Sequence, residues 1–434
     1  MGVIRALDAA VVVGAGSASS SDVLCSHVGR RRRRTIAVAV VGFSLGLCGF
    51  ATGGFVFGAS RALRGDHAYH RRRRVSGCPP APRVRGSSIV REHWFSRPAL
   101  ALIVVAAFVA PLALPLPKQA ENGMLRIGVV QGDIALPGAQ AYSREGEVTD
   151  NNVRASLDLA SSPEVADDPI DVAIWGEGSV DRDPKDFPAI GQAVDQASTA
   201  LDAPILIGYT NVNERDRVKN WLAVWVPGQG VDESARYSKH IPVPFGEFIP
   251  FREFIAPFAT EVAQSSRDME AGEEPPLMTI RARDGRSVPL AVGICFEAGY
   301  PLVIGEGVAR GGQAIIVPSN NYHFQSSGES AQQGQLLRMR AMEYSRSAVQ
   351  ASTTGHSYVI RPDGSILKSS GTQQSARLAA DVPLRSSLTF TAQAGERIPN
   401  GVMGATLIVG FLAFLTVIGR GVRASWRARR ASHR

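Results

Sequence analysis

The sequence predicts an α/β fold whose sheet is covered on both sides. Three observations carry this. Short runs rich in β-branched and aliphatic residues alternate with helical stretches, the signature of α/β architecture. Several of those runs are apolar on both faces, as in strands that layers bury from above and below. The alternation also falls within one acidic central stretch of the chain. In order, the apolar runs expected as strands are residues 126–131, 172–175, 205–209, 221–226, 288–295, 314–317 and 358–360. Helices are expected at 153–160, 187–201, 302–310 and 331–346. Arg361-Pro362-Asp363-Gly364 reads as a turn between two late strands, because Pro presets φ and Gly accepts a positive one. No internal repeat is apparent.

At 434 residues the chain can hold one large domain with appendages. Its net charge of +8 hides a partition. Residues 119–400 carry 24 Lys and Arg against 35 Asp and Glu, a net charge of −11, and the remainder carries +19. A nucleic-acid-binding protein with a basic face is therefore excluded. The basic residues flank apolar stretches, as cytoplasmic segments beside a bilayer do. Three stretches are apolar enough to enter a membrane: 36–58, 98–117 and 402–419. Arg91 and Arg97 precede the second, and Arg420, Arg423, Arg427, Arg429 and Arg430 follow the third. The positive-inside rule then puts the segment before residue 98 and the basic tail 420–434 in the cytoplasm, with the acidic domain outside and tethered at both ends. Stretch 36–58 has arginines on both sides and gives no clear orientation. It either spans or re-enters the membrane. The rest of 1–97 is rich in Arg, Ser, Gly and Pro without periodicity and reads as disordered.

Cys295 closes the apolar run Val288-Pro-Leu-Ala-Val-Gly-Ile-Cys295 and is the only cysteine after Lys118. A lone buried cysteine is ordinarily a small hydrophobe. Two further segments argue for chemistry. One is Asp171-Val-Ala-Ile-Trp-Gly-Glu177, an apolar run ending in a carboxylate. The other is Tyr237-Ser-Lys239-His-Ile-Pro-Val-Pro-Phe-Gly-Glu247-Phe-Ile-Pro. A carboxylate can take the thiol proton, the thiolate can attack a carbonyl, and an ammonium can stabilise the oxyanion. An ordinary thiol of pKa about 8.5 is only slightly ionised at neutral pH, so both helpers are needed. Cys25, Cys48 and Cys78 show no metal or disulfide spacing and read as incidental.

Glu, Lys and Cys in this order, with these flanks, resemble the carbon–nitrogen hydrolase (nitrilase) superfamily. The stretch Lys239 to Pro250 narrows the likeness to the bacterial apolipoprotein N-acyltransferases. Other matching pieces are Val129-Val130-Gln131-Gly132-Asp133-Ile134, Asn220-Trp221, Ile294-Cys295-Phe296-Glu297, Ser319-Asn320, the helix from Gln335 to Glu343, and Thr353-Thr354-Gly355-His356. The likeness covers residues 123–400. It implies a four-layer α-β-β-α sandwich flanked by transmembrane helices in a bacterial plasma membrane, crossed more than once, with the catalytic domain outside the cytoplasm. It implies Glu177 as general base, Lys239 as oxyanion stabiliser and Cys295 as nucleophile, with Glu247, Glu297 and Asn320 in support. Salt-bridge roles for the two supporting glutamates are equally open.

The reaction implied moves an acyl chain from a phospholipid, through a cysteine thioester, to the N-terminal amine of diacylglyceryl-cysteine in apolipoproteins. No metal or organic cofactor is implied. Two alternatives stay open: a membrane-tethered amidohydrolase, and a truncated non-catalytic homologue acting as an assembly partner, for instance of a glycolipid synthase. The chain departs from the family at three points, and the first and last of them motivate the second alternative. Gly176 stands where the family has proline, which should loosen the backbone before Glu177. His323 replaces an aromatic. The family's several N-terminal helices are reduced to at most two spans, so the N-terminal membrane part is expected to be truncated, eroded or wrongly assigned in its start or frame. His240 and His356 read as structural. Phe245, Phe248, Phe251, Phe254 and Phe258 form either core or a lid touching lipid.

Overall fold

The computed structural model describes residue 102 and residues 116–134, 146–252, 267–324, 327–395 and 397–431. Two six-stranded sheets form its frame. The first contains β1 (Met124–Gln131), β2 (Val172–Ile174), β3 (Ile205–Val212), β4 (Val218–Val226), β5 (Gly230–Ser238) and β12 (Ala376–Pro383), in the order β12-β1-β2-β3-β4-β5. The second contains β6 (Leu277–Arg281), β7 (Ser287–Val292), β8 (Ala314–Ser319), β9 (Ser347–Ser352), β10 (Tyr358–Ile360) and β11 (Ile366–Ser369), in the order β11-β10-β9-β8-β7-β6. Both sheets are mixed. Strands β1, β2 and β3 run parallel to one another, as do β7, β8 and β9, and all other pairings are antiparallel.

The apolar runs are explained by where alternate side chains go. Ile127, Val129, Val172, Ile174 and Leu206 point between the sheets, where they meet Leu290, Val292, Ile316 and Val349 of the second sheet. The intervening Val130, Ala173, Ile205 and Ile207 point the other way, into a cluster with residues of α1 (Glu147–Ala160), α2 (Pro163–Ala166) and α3 (Pro188–Leu201). Ala291, Ile315, Val317 and Ala348 likewise lie with residues of α4 (Pro301–Ala309) and α5 (Glu329–Tyr344). The layers are thus helix, sheet, sheet, helix. No face of the central strands meets water, so both can be apolar. Burying one such aliphatic side chain contributes about 1.5–3 kcal/mol.

Strands β5, β6, β9 and β12 escaped the sequence reading, and β11 was foreseen only as the strand after the 361–364 turn. Strand β9 is the instructive one, because Ser347, Gln350 and Ser352 are fully buried in it. Their side chains donate to Pro383 O (2.7 Å), His356 O (2.9 Å) and His356 O (2.7 Å). Such partners remove most of the cost of burying polar groups. The run expected at 288–295 is corrected: the strand ends at Val292, and Cys295 opens a turn of 3-10 helix, Cys295–Gly299.

Beyond β12 come α6 (Phe390–Ala394) and α7 (Arg397–Ala431). Residues Arg397–Gly421 of α7 contain an 18-residue stretch of mean hydropathy 2.3 and are long and apolar enough to cross a membrane. The expected span 36–58 lies outside the described residues, as does all but residues 102, 116 and 117 of the span 98–117.

Candidate active site

The parallel strands of both sheets end on one side of the sandwich, and the three expected residues are mounted there. After β2, Gly176-Glu177-Gly178 is laid directly across Gly208 of β3. A Cβ on Gly208 would come within 2.8–2.9 Å of Gly176 O, Gly178 N and Glu177 Cα, so only glycine seats this turn. Val180 N donates to Gly208 O (3.0 Å), and Gly208 N donates to Ser179 Oγ (3.1 Å). Gly176 is not loosely held, contrary to expectation. A Cβ there would meet Thr353 N at 2.8 Å, so close packing against the 352–353 backbone fixes the position.

Glu177 is buried with its carboxylate filled on both sides. Oε1 accepts from Asn220 Nδ2 (2.7 Å) and Lys239 Nζ (3.1 Å), and Oε2 accepts from the backbone N–H of Asn320 (2.8 Å). Lys239 follows β5 and is 0% exposed. Its Nζ lies between Glu177 and Glu247, with Glu247 Oε1 at 2.5 Å. The other Glu247 oxygen accepts from Val243 N (2.7 Å), which closes the Lys239–Glu247 loop on itself. Burial opposes charge on Lys239, but Glu177, the Cys295 sulfur and Glu247 outweigh it and raise its pKa above the usual lysine range. Burial raises Glu247 above the usual carboxylate range, with Lys239 acting against it and Glu177 adding to the rise.

Cys295 has φ of +54°, a left-handed conformation that a non-glycine residue holds at a cost of about 1–3 kcal/mol. Glu297 holds the turn. Its Oε2 accepts from Ile294 N (2.7 Å) and the Tyr237 hydroxyl (2.9 Å), and its Oε1 accepts from His240 N (2.7 Å) and Ile241 N (2.9 Å). One buried carboxylate therefore ties the cysteine turn to the lysine loop and uses all four of its lone-pair directions. Burial raises its pKa, against the bonds from Ile294, Ile241 and Tyr237 and the charge of Lys239.

Burial and then the negative charge of Glu177 push the Cys295 thiol up to about 12, against the pull of the Lys239 ammonium and the Asn320 N–H. All three groups therefore act on one sulfur. At neutral pH Cys295 is a thiol with a carboxylate acceptor beside it, not a preformed thiolate.

The residues expected in support, Glu247, Glu297 and Asn320, lie against the lysine, the cysteine turn and Glu177 respectively. Asn320 serves Glu177 through its backbone N–H, while its side-chain Oδ1 accepts from Tyr322 N and Thr353 Oγ1. His240 braces the turn by its N–H to Glu297 and by its ring on Glu274 O (2.6 Å). Of the expected aromatic lid, Phe245 is 55% and Phe251 84% exposed. Phe254 and Phe258 lie outside the described residues, as do Cys25, Cys48 and Cys78. Asn220, Gly208 and Tyr237 were not singled out by role. Asn220 carries a visible signal, a lone amide opening an apolar strand. Among the described residues, no group of three or more His, Cys, Asp or Glu side chains could hold a metal ion.

A buried Glu–Lys–Cys set at the strand ends of a double-sheet sandwich defines a class, and the chain belongs to the carbon–nitrogen hydrolase family, whose profile matches residues 126–387. Among curated proteins it is similar to the apolipoprotein N-acyltransferase of Mycolicibacterium smegmatis, 31% identical over 331 residues, covering 73% of this chain and 53% of that protein. It is also similar to that of Shewanella oneidensis, 25% identical over 326 residues, covering 72% and 59%. The chain thus spans little more than half the length of these relatives. A solved amidase from Nesterenkonia sp. superposes with a TM-score of 0.44 at 15% identity, covering 67% of this chain and 99% of that one. A likeness of that size leaves the fold resting on the family match and the topology.

Proposed function

We propose that this chain is an N-acyltransferase that carries an acyl group on Cys295 from a phospholipid to the N-terminal amine of a diacylglyceryl-cysteine lipoprotein. The observation that carries this is the fully buried ammonium of Lys239, held between Glu177 and Glu247 beside the Cys295 sulfur. The names of the relatives supply the substrate class.

In the first step the Cys295 sulfur attacks the ester carbonyl as Glu177 takes its proton. The carbonyl oxygen gathers negative charge, and the Lys239 ammonium stabilises it in a site that excludes water. The ester C–O bond breaks, the lysophospholipid alkoxide takes the proton back from Glu177, and a thioester remains. In the second step the lipoprotein amine attacks the thioester and gives a proton to Glu177. The C–S bond breaks, and the departing sulfur recovers that proton. Dividing one difficult transfer into two is the gain of covalent catalysis. Because burial and the Glu177 charge raise the thiol's pKa, proton removal accompanies attack. We assign Glu247, Glu297 and Asn320 supporting roles.

The apolar helix Arg397–Gly421 supports an anchored enzyme. We place the domain 123–400 outside the cytoplasm of a bacterial plasma membrane, between the spans 98–117 and 402–419. Incubating the protein with phospholipid alone and mapping adducts by peptide mass tests the first step, with an acyl group on Cys295 expected. An unlabelled Cys295 in folded protein with lipid present contradicts the reading. Hydrolysis of small amides to acid and amine without lipoprotein acylation supports a tethered amidohydrolase instead.

A further inference from the structure

Residues 268–272 form a strap across the back of the lysine loop, and nothing in the reaction scheme accounts for it. Val218 N donates to Asp268 O (3.1 Å) and Glu270 N to Val218 O (2.8 Å), so the strap is stitched to the start of β4. On its other side, Met269 N donates to Glu247 O (2.8 Å) and Gly272 N to Lys239 O (2.7 Å). The strap thus grips the main chain at both residues that set the ammonium, Lys239 itself and its partner Glu247. The fit is tight at its far end, since a Cβ on Gly272 would fall 2.1 Å from Ser238 Oγ and 2.2 Å from Ser238 O.

Asp268 secures the near end. Its carboxylate accepts from Ile249 N (3.1 Å), from Arg217 (2.9 Å) and from Arg252 through both Nε (2.9 Å) and a second guanidinium nitrogen. Ile249 and Arg252 belong to the continuation of the lysine loop, whereas Arg217 precedes β4. One carboxylate, with its side chain only 10% exposed, therefore joins the loop to the sheet. Bidentate arginine pairs fix geometry as well as supplying attraction. Nearby surface pairs such as Arg267 with Asp216 bond neither the loop nor the strap's hydrogen-bonded core.

We propose that Asp268 is a positioning residue: it latches the 268–272 strap against the lysine loop and so sets the distance of the Lys239 ammonium from the Cys295 sulfur. Asp268 touches no reacting group and acts through the main chain of Glu247 and Lys239. A displaced ammonium changes two observables together. It lowers the rate of thioester formation, because catalytic geometry tolerates little error. It also weakens the pull on the thiol proton, so Cys295 ionises at higher pH. A merely structural latch would lower the melting temperature and leave both unchanged.

The role in thioester formation rests on the proposed acyl transfer, whereas the thiol readout does not. The test is the pH dependence of Cys295 alkylation by iodoacetamide, with single-turnover thioester formation from phospholipid vesicles, in full-length wild type, Asp268→Asn and Arg217→Gln. Asp268→Asn is expected to raise the alkylation midpoint and slow thioester formation about ten-fold or more per folded molecule. Arg217→Gln removes only the outer arm and is expected to shift the midpoint the same way by less, which keeps the test open if Asp268→Asn does not fold. An unmoved midpoint in whichever of the two variants folds overturns the latch. A wild type that alkylates at Cys295 yet forms no thioester overturns the acyl-transfer reading instead, and the midpoint shift still decides the latch.

Discussion

Among the described residues, the two most deeply buried cations are held by opposite means. Lys239 is 0% exposed and Arg346 1% exposed. Lys239 lies between the carboxylates of Glu177 and Glu247, beside an ionisable thiol. Arg346 donates to four carbonyl oxygens: Gly312 (2.9 Å), Tyr344 (3.0 Å), Ser345 (3.1 Å) and Ser387 (2.7 Å). Their ionisation moves in opposite directions. Charged partners raise Lys239, whereas burial lowers Arg346 to about 10, with Glu121 opposing and Arg385 adding. Fixed dipoles make a staple, because nothing around Arg346 needs to change during a reaction. Ionisable partners suit the proposed chemistry, because protons can move among them while the ammonium stays put.

The comparison breaks first at Lys239→Ala. Losing an oxyanion donor, the role proposed for Lys239, costs about 3 kcal/mol, so turnover should fall at least a hundred-fold in a lipoprotein acylation assay. Arg346→Met should do the reverse. It leaves buried carbonyls without a donor, so stability should fall by about 3 kcal/mol or more in chemical denaturation, with activity per folded molecule retained. Substantial activity in the first variant, or a catalytic defect in folded protein of the second, would erase the distinction. Glu177→Gln comes next. A general base contributes about 10²–10⁴-fold, and that loss is expected in single-turnover thioester formation.

A smaller effect sharpens the account of how Glu177 is placed. Gly208→Ala must push the Gly176–Gly178 turn away by several tenths of an ångström. Thioester formation should fall about ten-fold or more, because an acid–base group works only at hydrogen-bond distance. Unchanged rates would mean that the turn yields without cost.

The smallest effect concerns the staple's surroundings. Burial alone would raise Glu121, but hydrogen bonds from Ser387 and Ser386 and the charge of Arg385 hold it down to about 2. Its folded pKa thus lies below its unfolded value of 4.5. The stability it contributes is complete above pH 4.5 and lost as pH falls through about 2. Glu121→Gln should flatten that part of the stability profile and leave thioester kinetics untouched.

Much of this arrangement was legible in the chain. The strands buried on both faces were found because their apolar runs are unbroken, as at residues 172–174 and 314–317. Glu177, Lys239 and Cys295 stood out because each ionisable group sits at the edge of an apolar run. What escaped depends on contacts distant in sequence. Strand β9 reads as polar because Ser347, Gln350 and Ser352 find partners only after folding. Gly208 looks like any glycine until the Glu177 turn is laid on it. The expected looseness at Gly176 came from its composition alone, and the 352–353 backbone that packs against it comes from a different sheet. The end of β7 was misjudged because an apolar run carries no mark of where the backbone turns left-handed at Cys295.

The central claim is that one sulfur feels a carboxylate and an ammonium at once, with opposite sign. The pH midpoint of Cys295 alkylation measures this directly in wild type, Glu177→Gln and Lys239→Met. Removing the carboxylate's charge should move the midpoint down, and removing the ammonium should move it up. Shifts in the same direction, or none in either variant, would contradict it.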